Sequence, residues 1–217
     1  MKIPVVRKIL EANDQMAEEL QATFAARQIL CLNLMSSPGA GKTTLLEQTL
    51  RGLSSDLNMA VIEGDVQTSN DAERIAATGA QAIQINTDGA CHLDSSMVQE
   101  AVKQTDLNAL DILFIENVGN LVCPAAFNVG EDFKVTVLSL PEGDDKPEKY
   151  PSMFARSKLL LINKIDLLPY LEFDVERAAK AARTINPEIE VLTVSAKTGE
   201  GMDEWYAWLK GRRQEKT

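Results

Sequence analysis

The sequence predicts an α/β fold with a mostly parallel sheet flanked by helices on both faces. Three observations carry that expectation. Short apolar runs alternate with helix-period segments along 217 residues, which is the pattern of repeated strand–helix–strand units. The first apolar run, Leu30-Cys31-Leu32-Asn33-Leu34-Met35, opens directly into Ser36-Ser37-Pro38-Gly39-Ala40-Gly41-Lys42-Thr43-Thr44 and then Leu45-Leu46, a strand, a small-residue loop and a helix start. A balance of 45% hydrophobic and 25% charged residues is that of an ordinary globular domain with a full core.

In chain order, residues 5–26 form a helix, because Val6, Ile9, Leu10, Met16, Leu20 and Phe24 recur at spacings of about three to four. That helix either packs on its own domain or faces a partner. After the strand at 30–35 and its loop, a helix runs over 44–53 and stops near Gly52. Residues 59–63 read as a short buried strand. A polar loop follows over 64–71, where Asn70 or Asp71 caps a helix over 72–78. Residues 80–85 are a strand, and an amphipathic helix ends near Lys103. A buried strand over 111–116 closes on an acid. Residues 133–140 alternate as a strand, and 141–151 read as a mobile charged loop. Strands at 157–163 and 190–194 enclose a helix over 174–183, and a last helix covers 202–210.

The loop after the first strand departs once from the phosphate-binding pattern G-x-x-x-x-G-K-[ST]: Ser36 stands where the first glycine belongs. Gly39, Ala40, Gly41, Lys42, Thr43 and Thr44 are in register to bind nucleotide phosphates. The glycines let backbone N–H groups turn inward on an anion. Lys42 adds a point charge for the β and γ phosphates and serves catalysis. The Thr43 hydroxyl suits Mg²⁺, and the helix start presents unpaired amides to the anion. Asp65 lies past a strand's carboxyl end, where open α/β sheets place ligands. It reads either as a Mg²⁺ or water-positioning group or as a solvated turn residue.

Glu116-Asn117-Val118-Gly119 resembles the D-x-x-G element of GTPases, with Glu for Asp. Glu116 can hold Mg²⁺ or its water, and the Gly119 amide can meet a γ phosphate, whose loss would free the segment beyond it. Asn163-Lys164-Ile165-Asp166 matches N-K-x-D. The Asp166 carboxylate can only accept hydrogen bonds, which fits the adjacent N1–H and N2–H₂ donors of guanine and rejects adenine. Lys164 can lie over the base. Ser195-Ala196-Lys197 matches S-A-K, with the Ala196 amide directed at guanine O6. The nucleotide is therefore GTP or GDP. A kinase using ATP on the same scaffold is the competing reading. No glutamine follows Gly119, and Asn120 in its place is short for positioning water, which predicts slow turnover.

His92, the single histidine, adjoins Cys91, and Cys123 follows four residues after Gly119. Thiolates with an imidazole suit Zn²⁺ or Ni²⁺. The alternative is two inert cysteines and an incidental histidine, in a guanine-nucleotide switch without metal cargo. Three ligands leave a fourth position for water or a second subunit. Cys31 reads as core.

The net charge of −10 argues against a nucleic-acid partner. No run of about 18 apolar residues marks a membrane helix. No secretory segment follows Lys2 and Arg7. Three cysteines make no disulfide framework, which places the chain in the reducing cytoplasm.

The motif set resembles the HypB family of hydrogenase maturation GTPases across nearly the whole chain. The resemblance rests on the phosphate loop, on Glu63-Gly64-Asp65-Val66-Gln67-Thr68-Ser69-Asn70-Asp71-Ala72-Glu73-Arg74-Ile75, on Gly89-Ala90-Cys91-His92-Leu93-Asp94, on Asn120-Leu121-Val122-Cys123-Pro124 and on the N-K-x-D run. The chain is thus read as an N-terminal helix over 1–28 before a P-loop GTPase domain over 29–217. The resemblance also implies slow GTP hydrolysis, a homodimer promoted by GTP or metal, and Ni²⁺ or Zn²⁺ held by Cys91, His92 and Cys123. Its implied task is nickel delivery to [NiFe]-hydrogenase, with a HypA-like nickel chaperone and the hydrogenase large subunit as partners. Some members carry a histidine-rich tract or a C-x-x-C-G-C site. This chain has neither, so nickel storage and a separate tight N-terminal site are not expected. The Cys-Pro-His motif of the related UreG is also missing.

Overall fold

Side-chain alternation builds the sheet. In β1 (Leu30–Ser36) Leu30, Leu32 and Leu34 point to one face, Cys31, Asn33 and Met35 to the other, and every residue is buried. The computed structural model describes residues 4–65 and 70–216. After α1 (Pro4–Ala26) the chain runs β1, α2 (Lys42–Leu53), β2 (Met59–Asp65), α3 (Asn70–Ala76), β3 (Gln81–Asn86), α4 (Ser95–Val102), β4 (Ile112–Glu116), α5 (Cys123–Ala126) and β5 (Phe133–Ser139). It continues through α6 (Lys146–Lys149), α7 (Pro151–Ala155), β6 (Leu159–Asn163), α8 (Val175–Ile185), β7 (Glu190–Val194) and α9 (Met202–Glu215). The sheet order is β3-β2-β4-β1-β5-β6-β7, and each neighbouring pair is parallel.

Helices cover both faces. On one, α2 (Leu45, Leu46, Leu50, Leu53) and α9 (Met202, Trp205, Leu209) pack on Leu32, Phe114, Val135 and Leu161. On the other, α1 and α4 cover β1, β2 and β4, while α7 and α8 cover β5 and β6. The central β1, between β4 and β5, marks where the strand order reverses, so ligands belong at its carboxyl end.

Several expectations need correction. The polar loop after the second strand begins later than expected, because β2 continues through Gly64 and Asp65, paired in register with Ile85 and Asn86 of β3. Asn70 is already helical, so neither it nor Asp71 caps a helix over 72–78; Asp71 instead ion-pairs with Arg74 at 3.0 Å. Val66, Gln67, Thr68 and Ser69 lie outside the described residues. The expected mobile loop at 141–151 is a 3₁₀ turn followed by α6 and α7. A capping box ties it down: Glu142 Oε1 accepts from the Ser139 amide and hydroxyl, each at 2.7 Å. The helix α1 packs on its own domain. Ala17, Leu20 and Phe24 are buried, and the Asn13 carboxamide bridges the Asn128 carbonyl (2.8 Å) and the Ser95 amide (2.9 Å).

Trp205 is fully buried, and its indole N–H donates to Thr49 Oγ1 at 2.8 Å, joining α9 to α2 beneath the phosphate loop. Trp205→Ala removes that packing and the hydrogen bond that Thr49 Oγ1 accepts, while the Thr49 hydroxyl keeps its bond to the Leu45 carbonyl at 2.7 Å. We expect a loss of about 3–5 kcal/mol in chemical denaturation; a loss under about 1 kcal/mol contradicts this packing.

Candidate functional site

The carboxyl ends of β1, β2, β4 and β6 converge on one cleft. Its phosphate end is a cavity of about 500 Å³ lined by the loop, Glu63, Asp65, Glu116, Gly119 and Lys164 among others. A second cavity of about 340 Å³ shares Gly41, Thr44 and Lys164 with the first, and adds Asn163, Asp166, Ala196 and Lys197. Together they form a bipartite slot of the size for a nucleotide, with the glycine-rich loop at one end and Asn163, Asp166, Ala196 and Lys197 at the other.

The Ser36 substitution has a local role. Its hydroxyl accepts from Lys42 Nζ at 2.8 Å and donates to the Ser37 carbonyl at 2.6 Å, so it holds the buried lysine where a glycine could not. Gly39 and Gly41 adopt φ of 74° and 97°, the left-handed region that favours glycine. A Cβ on Gly41 would also lie 2.7 Å from Asn163 Nδ2. Burial lowers the Lys42 pKa, with Glu116 opposing the shift. Thr43 Oγ1 donates to Glu116 Oε1 at 2.9 Å.

Asn163 joins the two cavities. It donates to the Ala40 carbonyl at 2.9 Å and accepts from the amides of Lys164 (2.8 Å) and Ala196 (3.2 Å). The Ala196 amide assigned to guanine O6 is thus engaged by Asn163 here. Lys164 has φ of 65°, unusual for a side-chain-bearing residue. Its Nζ reaches the Gly39 carbonyl at 2.6 Å, so its stem spans the slot. Asp166 Oδ1 accepts from Ser195 Oγ at 2.7 Å, which orients the carboxylate. Lys197 lines the base end.

The acids form a cluster. Glu63 on β2 pairs in register with Glu116 on β4, and both are buried. Each has an Oε2 without a hydrogen-bond partner among the described residues. Burial, then the charges of Glu116, Asp65 and Asp71, push Glu63 up to about 8; burial also raises Glu116. Unpaired buried carboxylate oxygens beside the Thr43 hydroxyl are the donor set for a hard divalent cation. Thr43 and Glu116 therefore fit Mg²⁺, with Asp65 lining the same cavity, and the ion would add positive charge beside Lys42. Sequence reading gave Glu63 no role. Its place two residues before Asp65, hence on the same strand face, was the available signal.

The candidate metal ligands also meet. Cys91 Sγ, His92 and Cys123 Sγ bring ligand atoms within 4.8 Å of one another; Cys91 Sγ is 3.7 Å from His92 Nδ1. Phe127, one turn beyond Cys123, stacks on the imidazole with centroids 3.8 Å apart. Burial lowers the His92 pKa, which favours the neutral, ligating form. A hydrogen bond with Cys91 raises Cys123. Cys31 is fully buried core.

Two links join the cation end to the metal residues. Gly119 abuts Pro38, where a Cβ would lie 2.8 Å from the proline Cα, and Cys123 follows four residues later. The Asn120 carboxamide oxygen caps that turn, accepting from the amides of Val122 (2.7 Å) and Cys123 (3.1 Å). The second link is Asn117. Its Oδ1 accepts from the amides of Val118 and of Leu93, both at 3.0 Å, and its Nδ2 donates to Asn33 Oδ1 at 3.1 Å. Leu93, next to His92, packs on Gly64, where a Cβ would meet its side chain at 2.7 Å.

Comparison with known proteins places this architecture. Residues 30–193 match the CobW/HypB/UreG nucleotide-binding domain. The hydrogenase maturation factor HypB of Escherichia coli K12 is 58% identical over 94% of this chain and 71% of its own length. Helicobacter pylori HypB, solved in complex with nickel, superposes with a TM-score of 0.89 at 38% identity, covering 94% of this chain and 96% of that one. HypB of Archaeoglobus fulgidus gives 0.88 at 36% identity, covering 94% and 100%.

The acid cluster sets a pH dependence. Glu63 keeps its proton in the folded, nucleotide-free protein up to about pH 8, whereas its ordinary value is 4.5. The fold binds the extra proton between those values, so this group's contribution is complete below the lower one and is lost through the upper one. Thermal melting across that window should fall with rising pH in the wild type and flatten in Glu63→Gln; parallel curves would contradict the assignment.

Proposed function

This chain belongs to the HypB family of hydrogenase maturation factors, and on that premise we propose that it is a GTP-hydrolysing nickel chaperone whose nucleotide state sets its hold on the metal. The observation that carries this reading is the pair of links from the cation end of the slot to the metal residues. One runs along the chain from Gly119 to Cys123. The other runs through the Asn117 side chain to the backbone beside His92. A γ phosphate on the Gly119 amide would fix both; its departure would release both.

In this reading Lys42 and the loop amides bind the β and γ phosphates, with Thr43, Asp65 and Glu116 serving the magnesium site. Asp166 selects guanine through its two adjacent donors. Cys91, His92 and Cys123 take Ni²⁺, or Zn²⁺ at rest, as cargo. Three ligands leave coordination positions open. A second copy of the chain, a HypA-like chaperone or the hydrogenase large subunit can occupy them in turn, making a homodimer and a transfer route in the cytoplasm. Intrinsic turnover is slow, because Asn120 stands in place of the usual glutamine and its side-chain oxygen is committed to capping the Cys123 turn. The nickel complex of the H. pylori relative supports nickel as the cargo.

Equilibrium dialysis with Ni²⁺ tests the cargo. Cys123→Ala should weaken binding at least about tenfold with GTP affinity kept, while unchanged Ni²⁺ binding removes the metal role. Asn117→Ala should keep Ni²⁺ and GTP binding separately yet shrink the difference in Ni²⁺ affinity between GTP-analogue and GDP states. An undiminished difference shows that this link carries nothing.

Guanine selection has its own test. Asp166→Asn should lower GTP affinity on the order of 100-fold, since one carboxylate partner becomes a misplaced donor, and leave ATP binding as weak as before. Equal ATP and GTP affinities in the wild type would favour a kinase instead.

A further inference from the structure

GTP hydrolysis needs a group that holds the attacking water, and the usual glutamine after Gly119 is replaced by Asn120. The Asn120 oxygen is taken by the amides of Val122 and Cys123. Among the described residues, the other side-chain acceptors of the phosphate cavity are engaged as well. Asp71 holds Arg74, Asn117 Oδ1 holds two amides, and Glu116 Oε1 accepts from Thr43. The remaining Glu116 oxygen and Asp65 suit the cation.

Glu63 remains. It lines that cavity, is only 2% exposed, and its Oε2 has no hydrogen-bond partner among the described residues. A buried carboxylate oxygen without a partner is costly unless a ligand completes it. Its strand position fixes where it sits: beside Glu116 in register on the neighbouring strand, on the same strand face as Asp65. Gly119 lines the same cavity.

We propose that Glu63 is a catalytic residue of GTP hydrolysis, its Oε2 accepting a hydrogen bond from the attacking water and orienting it. The water oxygen forms a bond to the γ phosphorus, and the bond from that phosphorus to the β–γ bridging oxygen breaks. The electron pair stays on GDP, and the water proton leaves with the inorganic phosphate. This role rests on the GTPase reading above and deepens it.

The test compares two variants of similar volume in the full chain. Glu63→Met removes the acceptor, whereas Glu63→Gln keeps an acceptor oxygen. Single-turnover hydrolysis of preloaded GTP should fall at least about tenfold in Glu63→Met and run severalfold faster in Glu63→Gln than in Glu63→Met. Affinity for a non-hydrolysable GTP analogue and the Mg²⁺ concentration for half-saturation should stay at wild-type values in both. If Glu63→Met fails to fold, Glu63→Ala gives the same readout against Glu63→Gln. A rate within twofold of wild type in the variant lacking the acceptor overturns the proposal. So does an equal loss in both variants that added Mg²⁺ restores, because that marks a cation ligand. A wild-type protein that binds GTP without hydrolysing it overturns the GTPase reading and this role together, whereas intact wild-type turnover with unaffected variants removes this role alone.

Discussion

A buried backbone amide must find an acceptor, and the placement of the loop that carries Cys91 and His92 follows from that constraint. The N–H of Leu93 sits in the core beside β4, and the Asn117 carboxamide accepts it at 3.0 Å. Asn117 is anchored in turn on Asn33 of β1. The loop carrying Cys91 and His92 is thereby registered to the strand end that carries Glu116. Leu93 then seats against Gly64, the residue before Asp65, which allows no side chain at that contact. The backbone beside the histidine is thus tied to two of the strands that form the phosphate end of the slot. A shift at the end of β4 or β2 would be felt at the metal residues through hydrogen bonds and packing with little slack.

The electrostatics follow the same geometry. The chain is strongly acidic overall, and its cleft gathers Glu63, Asp65, Asp71 and Glu116 around one buried lysine. Without a cation that arrangement is poorly compensated, which is why burial drives Glu63 toward its protonated form. In the proposed GTP-bound state a divalent ion would meet the free Glu116 oxygen and the attacking water that of Glu63. Arg74 steadies the rim by bridging Glu47, Asp71 and the Thr44 hydroxyl.

Much of this was legible in the residues themselves. The strand that opens into Gly39–Ala40–Gly41–Lys42, the buried strand ending at Glu116, and Asn163-Lys164-Ile165-Asp166 each carry a local pattern whose chemistry dictates its place, and the all-parallel sheet follows from strand–helix alternation. Less legible were features that depend on contacts distant in sequence. Glu63 looks like a strand residue until Glu116 is placed beside it. The value of Ser36 appears only when Lys42 folds back to it. Residues 141–151 look like a loop because three prolines and many charges suggest one, yet each proline sits in the first turn of a short 3₁₀- or α-helix, where it is tolerated. Phe127 gave no signal, since stacking on His92 depends on the turn of α5.

The account stands or falls on whether the nucleotide and the metal sense each other in the unmodified protein. Calorimetric titration of Ni²⁺ into the wild-type chain, once loaded with a non-hydrolysable GTP analogue and once with GDP, measures this directly. The account predicts affinities that differ at least about tenfold, a coupling of about 1.4 kcal/mol. Identical Ni²⁺ affinities in the two states would contradict it and leave a guanine-nucleotide site and a metal site that merely share a fold.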